Sequence, residues 1–184
     1  GTADNRFFGL YAGIPALVYG PQSDDIHGFD YYDNDPNPSD QNGHGTHTAG
    51  TIGARGDNGD GVVGVNWRCS LMALRVGNQS LSSQAILDSL EYACVNGAKV
   101  SNNSYGGGGF SGAFNGLIQS AGTNYNHVFC AAAGNGGSNG ASYPAAYDAY
   151  CIAVGATRYD EAVASYSNRG AALDLTAPGG DTSV

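Results

Sequence analysis

Two histidines, His44 and His47, lie three residues apart in the segment NGHGTHTAGTIGA, residues 42–54. Their imidazole rings allow three roles: capping or packing of local structure, coordination of a metal, or proton transfer as a general base. A zinc site on a helix usually pairs histidines four residues apart and adds an acidic ligand, whereas this segment contains no carboxylate. The small flanking residues leave room for a nucleophile and an extended substrate. This pattern favours a general base at the start of a helix.

The elements that must position such a base alternate between strand and helix from about residue 70. Apolar runs predict strands, and apolar periodicity near 3.6 residues predicts helices. Strands are expected at 71–76, 98–104, 127–135, 150–157 and 172–179, and helices at 82–97 and 110–122, ended by Gly97 and Gly122. This alternation predicts an α/β fold with a parallel sheet and helices on both faces. Functional residues collect at the carboxyl ends of such strands, here 102–109 and 134–140.

The composition excludes several classes of protein. The 184 residues suffice for one domain with its own core. A net charge of −9 provides no basic stripe for nucleic acid, and no apolar run approaches the roughly 18 residues of a membrane span. Because the cysteines form no CxxC pair, a zinc or redox motif is disfavoured, while two disulfides or four thiols both remain open. These cysteines are Cys69, Cys94, Cys130 and Cys151.

The histidine segment resembles the histidine box of the subtilisin-like serine proteases, H-G-T-H followed by a helix of small residues. Here the box reads HGTHTAG, residues 44–50. The resemblance implies that His44 is the catalytic general base and that His47 serves the structure of its own helix. Thr48 stands where that family more often has Val, Ile or Cys.

Two further segments resemble the same family in the expected order. AAAGNGG, residues 131–137, is similar to the oxyanion-hole turn. It implies that the Asn135 amide donates a hydrogen bond to the oxyanion of the tetrahedral intermediate. VSNNSYGGGG, residues 100–109, is similar to the strand that pairs with the substrate backbone. The resemblance implies that Ser104, Tyr105 and Gly106 bind the substrate before the scissile bond and form a wall of the first specificity pocket. Gly134 is also expected to bind the substrate.

The chain departs from the family at two members of the catalytic triad, because the family also needs an aspartate and a serine. We expect residues 31–184 to form a truncated subtilisin-like domain that lacks the Asp strand and the Ser helix. Ser183 has no helix after it. The aspartates before the histidine box all lie in polar loop sequence and are poor candidates: Asp24, Asp25, Asp30, Asp33, Asp35 and Asp40. We therefore expect the 184 residues as given to be inactive towards a fluorophosphonate probe.

Residues 1–30 resemble a different family, the C-terminal part of the zinc-dependent deacetylases and aminoacylases. The similar stretches are the start TADNRF, then GIPALVYGP, then IHGFD. In that family the histidine of the last stretch, here His27, is a metal ligand, whereas Tyr31 replaces a glutamate and the remaining ligands are absent. A fusion or gene-model junction at 24–30 would explain both resemblances. The sequence therefore assigns no complete set of metal ligands to this chain.

One loop, RGDNGDGVVGV at residues 55–65, could bind calcium. Asp57, Asn58 and Asp60 offer oxygen ligands, and many relatives in the subtilisin-like family bind calcium in the corresponding loop. A plain hydrated turn is the alternative. No cofactor is expected to be required.

The sequence as a whole predicts a subtilisin-like serine endopeptidase that hydrolyses extended peptide or protein chains through an acyl-enzyme. It is expected to be monomeric and extracellular, since its acidic, lysine-poor composition is typical of secreted hydrolases. Two rivals remain: a pseudoprotease that binds peptides without cutting them, and a fragment of a zinc-dependent amidohydrolase.

Overall fold

The structure is a computed structural model that describes residues 28–147 and 149–181. It consists of two compact units, the first extending to Asn96 and the second beginning at Gly97. Each unit is described by itself below. None of the described helices is long and apolar enough to cross a membrane.

The first unit contains a two-stranded parallel sheet and two helices. Strand β1 (Gly28–Asp30) pairs with β2 (Ala73–Arg75). Helix α1 (His44–Gly53) lies between them in sequence, and α2 (Ser83–Val95) follows and packs against β2. The side chain of Ser82 caps α2 by accepting a hydrogen bond from the Ala85 amide at 3.3 Å, as the sequence predicts. The strand predicted at 71–76 and the helix predicted at 82–97 are therefore confirmed.

The second unit contains a four-stranded parallel sheet in the order β3-β4-β5-β6. Its elements are β3 (Val100–Asn103), α3 (Gly112–Tyr125), β4 (Val128–Ala132), a short 3₁₀ turn (Ala145–Tyr147), β5 (Cys151–Thr157) and β6 (Leu175–Pro178). Helix α3 packs on β4 through an edge-to-face contact of Phe114 and Phe129 at 5.8 Å. Ile118, Phe129 and Ala153 are completely buried. The α/β class with a parallel sheet is confirmed.

The description of Asp30 as a polar-loop residue is wrong. Asp30 ends strand β1 and is only 1% exposed. One of its carboxylate oxygens accepts hydrogen bonds from the Tyr32 and Asp33 amides at 2.8 and 2.9 Å, and the other pairs with the Arg75 guanidinium. This ion pair joins β1 to β2, so the partner that makes burial of the carboxylate tolerable lies 45 residues away in sequence.

The predicted end of α3 at Gly122 is also wrong. The helix continues to Tyr125 and ends at Asn126, whose positive φ of 52° closes it. Gly122 serves packing instead, because a β-carbon there would lie 2.5 Å from the Tyr150 ring. A glycine inside a helix costs roughly 1 kcal/mol relative to alanine, and here it permits that close approach.

The four cysteines are free thiols, which resolves the choice that the sequence leaves open. Cys94 and Cys151 are about 4% exposed. Burial raises the pKa of the Cys94 thiol to about 11. Burial, assisted by Asp174, raises the pKa of the Cys151 thiol to about 12. Both groups are therefore neutral near pH 7 and poor nucleophiles.

Candidate active site

A pocket of about 270 Å³ lies in the second unit, where β3 and β4 end. We call it the substrate pocket; its lining residues are Ser104, Tyr105, Gly106, Gly107, Ala132, Gly134, Asn135 and Ser142. Five of these residues are the ones for which the sequence predicts substrate binding or oxyanion stabilisation. The structure thus brings together Asn135 and the segment Ser104–Gly106, which lie some thirty positions apart in the printed sequence. Their roles in chemistry stay predictions.

The turn that carries Asn135 follows directly after β4 and is held by the buried side chain of Asn168. The Asn168 Oδ1 atom accepts hydrogen bonds from the amides of Gly136 and Ser138 at 2.9 and 3.2 Å. Its Nδ2 atom donates to the Ala133 carbonyl at 3.1 Å and to the Ser142 hydroxyl at 3.2 Å. Asn168 is only 3% exposed. One amide group therefore fixes both ends of the turn.

Main-chain contacts reinforce this arrangement. The Asn168 amide donates to the Gly134 carbonyl at 2.9 Å, and the Arg169 amide donates to the Ser138 carbonyl at 2.9 Å. Gly134 has a φ of 109°, and a β-carbon there would lie 2.5 Å from the Asn168 Nδ2 atom. Glycine is therefore required at this position for two reasons. Asn135 itself is exposed at the pocket.

The opposite wall of the substrate pocket is formed by the segment after β3. The Ser104 hydroxyl accepts a hydrogen bond from the Asn102 side chain at 2.9 Å, and the Gly107 amide donates to the Tyr143 carbonyl at 3.2 Å. The Tyr105 hydroxyl donates to the Asn103 Oδ1 atom at 2.9 Å. Burial raises the pKa of the Tyr105 hydroxyl above its ordinary value, and the nearby Cys151 adds a smaller contribution in the same direction. Tyr105 therefore remains a neutral hydrogen-bond donor.

His44, in the first unit, is the first residue of α1. The start of this helix is held by Asp40, whose carboxylate accepts hydrogen bonds from the amides of Asn42, Gly43 and Thr46 at 2.8, 2.9 and 2.8 Å. The Thr46 hydroxyl donates to it as well, at 2.8 Å. The Thr46 amide, then those of Asn42 and Gly43, hold the pKa of the Asp40 carboxyl well below its usual range. Asp40 thus does the work of a helix cap.

The other predicted residues fall outside this arrangement. His47 is exposed, so the structure does not give it the predicted role in packing. Within the described residues no hydrogen bond reaches the His44 ring, and neither Asp30 nor Asp40 is placed as the triad aspartate. Asp24, Asp25, His27 and Ser183 lie outside the described residues.

Metal ligation finds no structural support in the part of the chain that the structure describes. No group of three or more His, Cys, Asp or Glu residues there could hold a metal ion. In the loop predicted to bind calcium, Asp57 and Asp60 are exposed. The Asn58 side chain accepts from the Asp60 amide at 3.2 Å, as in an ordinary Asx turn. The residues present therefore fit a hydrated turn at least as well as a cation site.

Comparison with known proteins decides the family. The sequence model of the Subtilase family matches residues 19–184, most of the chain. The chain belongs to the subtilase family. The match begins before residue 31, the predicted start of the domain, while the proposed junction at 24–30 stays a prediction. The comparisons give no support to the resemblance of residues 1–30 to zinc deacetylases.

The similar subtilases include thermitase from Thermoactinomyces vulgaris, 38% identical over 84% of this chain and 55% of that protein. Subtilisin DY from Bacillus licheniformis is 45% identical over 77% of this chain and 53% of that protein. Among solved structures, that of a cold adapted subtilisin-like serine proteinase matches with a TM-score of 0.73 and 34% identity, covering 83% of this chain and 54% of the other. The chain spans about half the length of these relatives.

Two positioning residues of this subtilase, Asn168 and Asp40, are missed by sequence reasoning. The four groups that bond to the Asn168 side chain lie 26 to 35 positions away in sequence, so no local sequence pattern predicts these contacts. Asp40 does leave a local signal, since an acidic residue just before a helix favours its exposed amides.

Proposed function

We propose that the protein that carries this chain is a serine endopeptidase that cleaves extended peptide or protein chains through an acyl-enzyme. In this reaction His44 accepts the proton of the serine nucleophile and returns it to the leaving amine. The Asn135 side-chain amide donates to the oxyanion, and Ser104–Gly106 with Gly134 binds the substrate before the scissile bond. The observation that carries the proposal is the substrate pocket, which joins Asn135 to that segment.

The chemistry of this pocket suits acyl transfer. A side-chain amide at an exposed turn can meet an oxyanion as charge develops on it, and a turn fixed in advance requires little reorganisation during the reaction. The Asn135 turn is fixed in that sense by the hydrogen bonds of Asn168. The serine nucleophile and the orienting aspartate are not identified among the described residues. The prediction that the 184 residues alone do not label with a fluorophosphonate stays a prediction.

The test is hydrolysis of acylated tetrapeptide p-nitroanilides by the native protein that carries this chain. Asn135→Ala should lower kcat by about 10²–10³, a magnitude that belongs to subtilisin itself rather than to this chain. KM should change little, because the oxyanion exists only after attack. The matched control is Asn139→Ala, which removes an exposed amide from the same segment and should leave kcat unchanged. Equal kcat in the wild type and Asn135→Ala would refute the proposed role.

The proposal also covers the location, the oligomeric state and the calcium binding of the protein. We infer an extracellular location and a monomer, supported by the acidic, lysine-poor composition and by the family. Calcium in the loop 55–65 also stays a prediction. Titration calorimetry on EDTA-treated protein tests it, and the absence of any heat of calcium binding would remove it.

A further inference from the structure

Beside the substrate pocket, the second unit contains a chain of hydrogen bonds that the proposed chemistry does not use. It starts at the Tyr105 hydroxyl, which donates to the Asn103 Oδ1 atom at 2.9 Å. The Asn103 Nδ2 atom donates to the Ser101 hydroxyl at 2.9 Å. The Ser101 hydroxyl meets the His127 Nε2 atom at 2.9 Å, and His127 Nδ1 lies 2.8 Å from the Ala98 carbonyl oxygen. We call these five residues the polar chain.

The direction of every bond in the polar chain is fixed by two main-chain carbonyls, which can only accept. Because the Ala98 carbonyl accepts, a neutral His127 carries its hydrogen on Nδ1 and leaves Nε2 as an acceptor for Ser101. Because the Cys130 carbonyl accepts from the Asn103 amide nitrogen at 3.1 Å, the Asn103 oxygen must face Tyr105. Each donor therefore meets an acceptor from the pocket to Ala98.

Two side chains of the polar chain are buried, so the loss of one of its hydrogen bonds is expected to be costly. His127 is 3% exposed and Asn103 is 7% exposed, so an unsatisfied polar group at either position would be costly. The Asn103 side chain also bridges β3 to β4 through Cys130. Consequently the Tyr105 hydroxyl is tied to the sheet, and Tyr105 is one of the residues that line the substrate pocket.

We infer that the polar chain holds the Tyr105 ring as a fixed wall of the substrate pocket, so that Asn103, Ser101 and His127 are positioning residues for the side chain that the pocket accepts. The inference rests on the proposed function in one respect, that the pocket takes the residue before the scissile bond. A fixed aromatic wall discriminates by size, since a rigid apolar pocket separates ligands that differ by one methylene by about 10- to 200-fold. A ring released from its anchor can move aside and accept a larger group.

The experiment measures binding rather than hydrolysis, so its outcome is independent of catalysis. Dissociation constants of the native protein that carries this chain, in a His44→Ala background that prevents hydrolysis, are measured by NMR titration for acetylated tetrapeptide amides that end in Ala, Leu or Phe. The variants are Tyr105→Phe, Ser101→Ala and the double variant. Tyr105→Phe keeps the ring and loses only the anchor. Tyr159→Phe, which removes the hydroxyl of a tyrosine that is 82% exposed, is the matched control, and thermal unfolding verifies that each variant is folded.

Each single variant should change the ratio of the Phe-peptide to Ala-peptide dissociation constants about fivefold or more, in favour of Phe, and Tyr159→Phe should not change it. Because Ser101 acts through Tyr105, Ser101→Ala should have no further effect in the Tyr105→Phe background. Hydrogen exchange of the Tyr105 hydroxyl, read from the isotope shift of its ζ carbon, should be slow in the wild type and faster in Ser101→Ala.

Three results would overturn the inference: no peptide binding by the His44→Ala protein, an unchanged ratio in both single variants, or an equal effect of Ser101→Ala with and without the Tyr105 hydroxyl. The last result would mean that Ser101 acts on the pocket by another route. If the native protein hydrolyses peptides but the ratios do not change, the proposed function stands and the inference about the polar chain fails. If the ratios change but no hydrolysis is found, the inference stands and the proposed function fails.

Discussion

The start of helix α1 and the Asn135 turn carry the two groups proposed for proton transfer and oxyanion stabilisation, and they are held in opposite ways. Helix α1 has no buried residue, and the exposed carboxylate of Asp40 organises its first turn. The Asn135 turn is organised by the buried amide of Asn168. The carboxylate that holds α1 is charged and exposed to solvent, whereas the amide that holds the Asn135 turn is neutral and buried.

This difference has physical consequences. A carboxylate takes up a proton in acid, so the support of α1 depends on pH. An amide does not titrate, so the support of the Asn135 turn is independent of pH but depends on the burial of its partners. Loss of the buried amide should cost more, because its four hydrogen bonds are lost together.

The largest effect on stability is expected for Asn168→Ala. The free energy of unfolding should fall by about 2 kcal/mol, because four hydrogen bonds are lost and each contributes about 0.5–1.5 kcal/mol. The value of kcat should also fall, towards that of Asn135→Ala, since the turn is no longer fixed. Urea unfolding and p-nitroanilide hydrolysis are the measurements, with Asn139→Ala as control. Stability within 0.5 kcal/mol of the wild type, roughly the range of a neutral surface substitution, would show that the main-chain contacts suffice.

A smaller effect is expected for Asp40→Ala. Loss of a helix cap costs about 1 kcal/mol, and exposure keeps the value at this level. Because the pKa of Asp40 is lowered in the folded state from 3.8, its contribution is complete at neutral pH and is lost as pH falls below about 4. Urea unfolding from pH 7 to pH 2.5 should therefore show the wild type and Asp40→Ala converging.

The control for this series is Asp60→Ala in EDTA, which removes an equal charge from an exposed loop of the same unit. It should follow the wild type closely at neutral pH. A constant gap between the wild type and Asp40→Ala down to pH 2.5 would contradict a role for the ionised carboxylate.

The smallest effect concerns the thiols, which support neither region directly. Ellman's reagent should titrate four thiols in the denatured, unreduced chain, since all four cysteines are free. In the folded chain at pH 8, Cys94 and Cys151 should not react, because burial raises the pKa of Cys94 to about 11 and of Cys151 to about 12. Cys69→Ser should remove one of the faster-reacting thiols. Two or fewer thiols in the denatured chain would indicate disulfides instead.

The sequence predicts the second unit better than the first. Strands β4 and β5 are apolar runs that need no distant partner to be recognised, and β3 to β6 all fall inside the predicted ranges. Strand β1 has only three residues and ends in Asp30, which is buried because Arg75 pairs with it. The observed end of α3 differs from the predicted one because Gly122 accommodates Tyr150 rather than stopping the helix.

The residues of the candidate site also differ in how well the sequence predicts them. Residues that form local motifs, such as Asn135 and Ser104–Gly106, are predicted by resemblance and lie together in the substrate pocket. Residues that position them, such as Asn168 and His127, act through partners some 26 to 35 positions away. A single sequence carries no sign of such pairings. Structure is needed to find them.

The proposed role of His44 as the general base of a peptide-cleaving subtilase is tested most directly by the kcat of His44→Ala. With the native protein and a tetrapeptide p-nitroanilide, kcat should fall by about 10⁶ while KM stays within a fewfold. This magnitude again belongs to subtilisin itself. A variant that keeps kcat within tenfold of the wild type would contradict this role.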